Sequence, residues 1–448
     1  MKKTTHPKTP TPNPPSMQTL THDITLRERQ AITKSLAAGL VPEIGLGHLV
    51  VGRKREIQAL IGDLDTIKQG GATFRVLLGA NGAGKTFLQH LTVGEAVQYG
   101  LVVLVADLTV NRRLHATDGR GRGLFSSLLA NVHTKACPSG NGLRPMMESW
   151  ISAQAFDLGK EAPTPEVMAQ RINEQLRPLK DHPGGFEFAS VLGSYYEGYV
   201  TDNSPLQDAA LRWLRAEYST KTEAKQDLGV RRIIGDEDIY PALKLFAAFC
   251  RLAGYGGVLV VLDELSALTH RLPHARARQA NVQVLLTIIN ECYQGGVSGL
   301  GFLLAGTPDS LEDPDRGLFS VPALRSRLQG CAPSGHVDYA SPVLRLEPLG
   351  REELLVLLHN VRRIHALGDE SRYRLPDEAL ERFLARALSR LGRSVLANPR
   401  DVLRPFVAIL NLLDQEPGQR WEELIDRAIV AASPASDPAQ AQLGNLKL

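Results

Sequence analysis

The stretch VLLGANGAGKTFLQHL, residues 76–91, restricts the folds open to this chain more than any other. Gly79-Ala80-Asn81-Gly82-Ala83-Gly84-Lys85-Thr86 fits the pattern G-x-x-x-x-G-K-[ST]. The apolar run from Phe74 to Leu78 precedes it and reads as a buried strand. The segment that follows carries apolar residues at helical spacing. Strand, glycine loop and helix in that order form an anion cradle. Glycines let the backbone wrap closely round phosphates, and the amides of the helix start point at them. The backbone from Gly79 through Phe87 is therefore expected to bind a nucleotide. Lys85 is expected on the β- and γ-phosphates, and Thr86 on a Mg²⁺ ion through its hydroxyl. By itself the loop leaves open a transporter ATPase, a DNA-repair ATPase, a switch or a kinase.

A second feature narrows the choice. GGVLVVLDELSAL, residues 256–268, reads as a buried strand ending in Asp263-Glu264. A carboxylate at that strand end, across from the loop, would hold the Mg²⁺ shell, with Thr86 and Asp263 as the metal-side residues. The adjacent Glu264 would polarise an attacking water as general base. The bland alternative is an acidic helix N-cap. The doublet favours hydrolases over kinases and small GTPases. A transporter-type ATPase needs an L-S-G-G-Q-like helix start shortly before this strand. That window reads IIGDEDIYPALKLFAAFCRLAGYGG, so the transporter type is excluded.

Further buried runs, LVVLVADL (101–108), LGFLLAGTPDSL (300–311) and PVLRL (342–346), alternate with helical segments. Such strands lack polar alternation and indicate a parallel sheet covered on both faces. The fold class expected is α/β, a P-loop NTPase with a large helical insertion and a C-terminal helical domain. Lys85 and Asp263 lie 178 residues apart, which places the insertion between the second and third strands. The expected order is a Pro/Thr-rich disordered tail (1–22), the first half of the ATPase core (23–134), and the helical insertion (135–250). The second half of the core (251–350), a helical lid (351–430) and a flexible tail (431–448) follow.

Composition sets outer limits. With 43% hydrophobic residues the 448-residue chain can bury a sizeable core, and a net charge of +3 provides no global attraction to nucleic acid or membrane. No apolar stretch approaches the ~20 residues of a membrane helix. Cys137, Cys250, Cys292 and Cys331 are scattered without C-x-x-C pairing, as in a reduced cytoplasmic protein.

The order of motifs resembles the AAA+ superfamily. VVGRKREI is similar to its V-G-R-x-x-E element, which implies that Arg53 lies against the base and ribose. FLLAGTPD resembles the sensor 1 strand, which implies that Thr307 touches the γ-phosphate or the attacking water. PALRSRLQG resembles a helix end with an arginine finger acting in trans, with Arg327 the first choice and Arg325 the second. ANPRDVLRPF resembles sensor 2, which implies that Arg400 reaches over the phosphates. The segments ADLTVNRRLHATDGRGRG and ALRWLRAEYS, with their flanks, resemble the BrxD-like ATP-binding proteins of BREX phage-defence loci over roughly residues 30–410. That resemblance implies an ATPase using ATP and Mg²⁺, acting with other defence-system proteins as a homo-oligomer or hetero-complex. Catalysis would rest on Lys85, Asp263, Glu264, Thr307 and Arg327.

The loop NRRLHATDGRGRG sets Arg112, Arg113, Arg120 and Arg122 among glycines and is the expected contact for duplex DNA. A solvated basic loop is the alternative. For the whole chain, the competing readings are a STAND-like switch locked by ATP with little turnover, and a scaffold that loads other proteins onto DNA.

Overall fold

The computed structural model describes residues 23–159, 163–330, 336–391, 398–416 and 418–431. The expected N-terminal tail, Cys331, and the expected C-terminal tail apart from Ala431 lie outside these residues. The chain divides into two compact units, residues 53–348 and residues 1–52 with 349–448.

The larger unit is built on six strands: β1 (Ala72–Leu78), β2 (Val102–Asp107), β3 (Val132–His133), β4 (Val258–Asp263), β5 (Leu300–Gly306) and β6 (Val343–Arg345). Their order in the sheet is β3-β2-β4-β5-β1-β6. All neighbours are parallel except β3, a two-residue antiparallel edge on β2. The expectation of a parallel sheet is thus corrected at one edge. Two residues are too short to leave a hydrophobic pattern, and β3 forms because the chain turns back directly after the helix Arg120–Ala130. Residues of β1, β4 and β5 are almost wholly buried, as strands covered by helices on both faces must be. Each fully buried Val, Leu or Ile contributes roughly 1.5–3 kcal/mol relative to exposure.

Arg75 is the exception within β1. Its guanidinium takes Asp63 of the helix Lys54–Lys68 in a two-pronged pair, at 2.7 and 2.6 Å. It also donates to the carbonyls of Tyr339 (3.1 Å) and Ser341. A charge in a buried strand persists only with such partners, so Arg75 is a structural clamp.

Between β2 and β4 lie the helices Arg120–Ala130, Leu143–Asp157, Pro165–Gln175, Gly185–Val200, Ser204–Leu214, Lys221–Leu228 and Ile239–Leu252. Their aromatic residues join the core of the sheet: Phe249 meets Trp150 edge-on at 5.4 Å and Phe188 at 5.0 Å. Trp213 is buried and donates its indole N–H to the Arg232 carbonyl at 2.8 Å. A buried carboxylate, Asp236, accepts from the amides of Gly119 (2.7 Å) and Arg122 (2.8 Å), fixing the start of the helix Arg120–Ala130.

The smaller unit is helical. The helix Leu26–Ala37, with a capping box between Thr25 and Glu28, packs on Pro399–Gln415. Asp414 on the latter takes Arg29 (3.1 Å) and Arg374 (2.9 Å). Phe383 and Phe406 pack at 5.2 Å in its interior. Residues 23–52 therefore cluster with the C-terminal helices.

Candidate functional site

Parallel register brings the C-terminal ends of the strands to one edge. Asp107 pairs with Asp263, and Gly306 with Leu78, so β5 lies between the Asp-Glu strand and the glycine loop. The Gly79 amide donates to the Gly306 carbonyl at 3.2 Å, and the Leu265 amide to the Ala305 carbonyl at 2.9 Å. Thr307, the next residue after β5, is therefore flanked by the glycine loop on one side and by Glu264 on the other. Ligands of parallel α/β sheets collect at this edge.

The loop needs its glycines where the backbone turns left-handed: Gly82 has φ +77° and Gly84 φ +95°. A Cβ on Gly84 would meet nothing within 4 Å. The helix Lys85–Gln98 starts at this point, and its first-turn amides have no carbonyl partner within the helix. The Lys85 ammonium folds back on the carbonyls of Gly79 (2.9 Å) and Ala80 (3.0 Å). These donors suit a chain of phosphates.

The Thr86 hydroxyl donates to Asp263 Oδ2 at 3.2 Å. Asp263 Oδ1 accepts the Glu264 amide at 2.7 Å. Burial pushes the Asp263 carboxyl above the ordinary carboxylate range; the hydrogen bonds from the Glu264 amide and Thr86 oppose this, and the charges of Glu264 and Asp107 add to it. Acidic groups crowded in this way, next to a hydroxyl, fit a hard divalent cation with oxygen ligands.

Glu264 has φ +60°, rare for a non-glycine residue. Its carboxylate accepts Arg271 Nη2 at 2.8 Å and the Ser266 hydroxyl at 3.2 Å. Thr307 occupies the N-cap position of the short helix Pro308–Glu312 without a side-chain cap bond, and its hydroxyl lies 3.2 Å from Ser310 Oγ.

Arg53 also has a left-handed backbone, at φ +57°. Its guanidinium donates to the Ala83 carbonyl in the glycine loop (3.3 Å) and to the Glu347 carbonyl, and pairs with Glu56 at 3.3 Å. In this structure Arg53 braces the loop.

The other arginines are placed differently. Arg327, exposed on the helix Pro322–Leu328, donates to Asn290 Oδ1 and to the Ala323 carbonyl (2.7 Å). Arg325 is exposed on the same helix. Neither bonds the glycine loop of its own chain. Arg400 is in the smaller unit, at the start of the helix Pro399–Gln415, where its aliphatic stem lies against Gly39.

The arginines of the loop expected on duplex DNA have partners within the chain. Arg113 is buried, 3.7 Å from Asp118. Arg122 donates to the Tyr218 carbonyl at 2.5 Å, Arg112 to Ser127 at 3.1 Å, and Arg120 pairs with Asp118 at 3.2 Å.

Sequence reasoning missed Arg271 and Asp107. Asp107 carried a usable signal, since it ends an apolar strand as Asp263 does.

Among the described residues no helix is long and apolar enough to cross a membrane. No curated protein matches the chain. The family model described as BREX system ATP-binding protein BrxC/D matches residues 24–428. With that match over nearly the whole chain, and a glycine loop facing acidic strand ends on a parallel sheet, the chain belongs to the BrxC/D family of BREX system ATP-binding proteins.

Proposed function

We propose that the protein hydrolyses ATP with Mg²⁺ and couples the reaction to rearranging DNA or partner proteins in antiviral defence. The observation that carries this reading is the meeting of Thr86, Asp263 and Glu264 beside the glycine loop. Backbone amides from Gly79 to Phe87 bind the triphosphate, and Lys85 exchanges the Gly79 and Ala80 carbonyls for β- and γ-phosphate oxygens. Thr86 and Asp263 would hold a Mg²⁺ ion, which would screen phosphate charge. Glu264 accepts the proton of the attacking water as its oxygen bonds to the γ-phosphorus and the bond to the ADP oxygen breaks. Thr307 holds that water or the γ-phosphate. Arg53 supports the loop and the nucleoside. Arg327, exposed and bonded to Asn290 and Ala323, completes the site of a neighbouring copy or partner, and Arg400 remains the sensor 2 candidate. The protein works in the cytoplasm with other components of its system.

Phosphate release from ATP, with Mg²⁺ and with EDTA in its place, tests the reaction. Mixing Arg327→Ala with Glu264→Gln tests the finger, because each variant lacks a different half of a shared site. Turnover restored in the mixture supports action in trans. A mixture as inactive as its parts contradicts it.

A second reading, a switch locked by ATP with slow turnover, is favoured by one observation. Glu264 is engaged by Arg271 and Ser266, so it must be released before it can act as a base.

A further inference from the structure

The opposite edge of the sheet carries a cleft of about 840 Å³. Lys68 ends the helix before β1, Gly256 precedes β4 and Ser298 precedes β5, so the cleft lies at the N-terminal ends of these strands, away from the glycine loop. Lys68, Lys244, Arg251 and His182 line it, against a single lining carboxylate, Asp181. Lys244 is matched by Glu291 at 2.9 Å. Among the described residues the other two permanent cations form no ion pair. Lys68 Nζ sits 5.5 Å above the Tyr99 ring, and Arg251 Nη1 donates to the neutral Gly256 carbonyl at 3.0 Å. Both side chains are exposed.

We propose that this cleft binds the phosphate backbone of a single nucleic-acid strand. Three features select that ligand. Lys68 and Arg251, both exposed in one cleft, offer two cations to the phosphates of a strand. Tyr255 and the proline walls, Pro178, Pro183 and Pro241, provide apolar flanks for sugars and bases. The loop Gly295–Ser298 lets a backbone approach closely. A duplex would reach only the rim of a cleft this size. The site is separate from the arginine loop at residues 111–123, where Arg113 and Arg120 both face Asp118. The inference does not depend on ATP hydrolysis.

The test is fluorescence anisotropy of labelled oligo(dT) of about 20 nucleotides, longer than the ~4–16 nucleotides of strand-binding folds, on the full chain without nucleotide. Affinity should fall with salt, with a log–log slope of about −1.4, as two phosphate contacts at ~0.7 each require. Lys68→Glu should weaken binding about tenfold or more and flatten the slope. Arg251→Gln gives an independent second loss. Melting temperature and binding of a fluorescent ATP analogue report whether each variant is folded. The proposal is overturned if the wild type binds no strand at low salt, or if both folded variants bind as wild type does. It is equally overturned if a hairpin duplex binds more tightly than the strand, or if polyglutamate binds and the strand does not.

Discussion

Arg271 Nη2 holds Glu264 Oε2 at 2.8 Å, on a glutamate whose backbone is itself left-handed at φ +60°. Both side chains are about half exposed, so the pair is a weak tether, worth about 0.2–1 kcal/mol. If Glu264 must leave Arg271 to accept a proton from water, the tether stabilises the resting state alone. Arg271→Ala should then raise basal kcat about two- to fivefold with little change in KM. Steady-state kinetics decide the matter, and a fall in kcat would make Arg271 a helper of the reaction.

Asp263 supplies a prediction about pH. Its folded pKa lies above its ordinary value, mainly through burial. For a carboxyl raised on folding, the folded state binds the proton more tightly than the unfolded state does. Its contribution is therefore fully favourable below the ordinary value, and is lost as pH rises through the raised one. Once ionised, this half-buried carboxylate is carried by the nucleotide-free protein at a cost. Asp263→Asn should raise its melting temperature at neutral pH and remove part of its stabilisation on mild acidification. The same variant should lose Mg²⁺-dependent nucleotide affinity. Thermal melts at several pH values check the first part, and titration with a fluorescent nucleotide the second.

Arg53 braces the glycine loop through the Ala83 carbonyl and ties it to Glu347. Charge-assisted hydrogen bonds of this kind contribute ~1.5–3 kcal/mol each. Arg53→Ala should weaken nucleotide binding by about tenfold or more, measured by titration. Unchanged affinity would show that the loop holds its shape without the brace.

Gly84 at φ +95° borders open space. Gly84→Ala should cost only about 1–2 kcal/mol of stability through its backbone. If phosphates lie against Gly84, the added methyl would crowd them, and nucleotide affinity should fall far more than the melting temperature does. Equal, modest effects on both would argue that phosphates do not approach Gly84.

Local pattern explains what could be read in advance. The helix start at Lys85, the strand ending at Asp263 and the buried run before Thr307 each depend on neighbours within a few residues. Parallel register then brings them to one edge without further information. Contacts between distant segments were not legible. Arg53 meets Glu347 across 294 residues, and the 111–123 loop is organised by Asp236, more than a hundred residues later. Arginine carries the same letter whether it faces solvent or a buried carbonyl, so the inward turn of Arg113 and Arg122 left no signal. Arg271 follows Glu264 by seven residues, yet its contact depends on a left-handed turn that glutamate rarely adopts.

The central claim is that Glu264 serves as the base for ATP cleavage at a site bounded by Lys85, Thr86 and Asp263. The most direct measurement is single-turnover hydrolysis of ATP with Mg²⁺ by wild type and Glu264→Gln, with ATP binding measured on the same samples. The account predicts that Glu264→Gln binds ATP at least as tightly as wild type and cleaves it at least about a hundredfold more slowly, within the ~10²–10⁴ range of general-base catalysis. Cleavage at the wild-type rate by Glu264→Gln would contradict it.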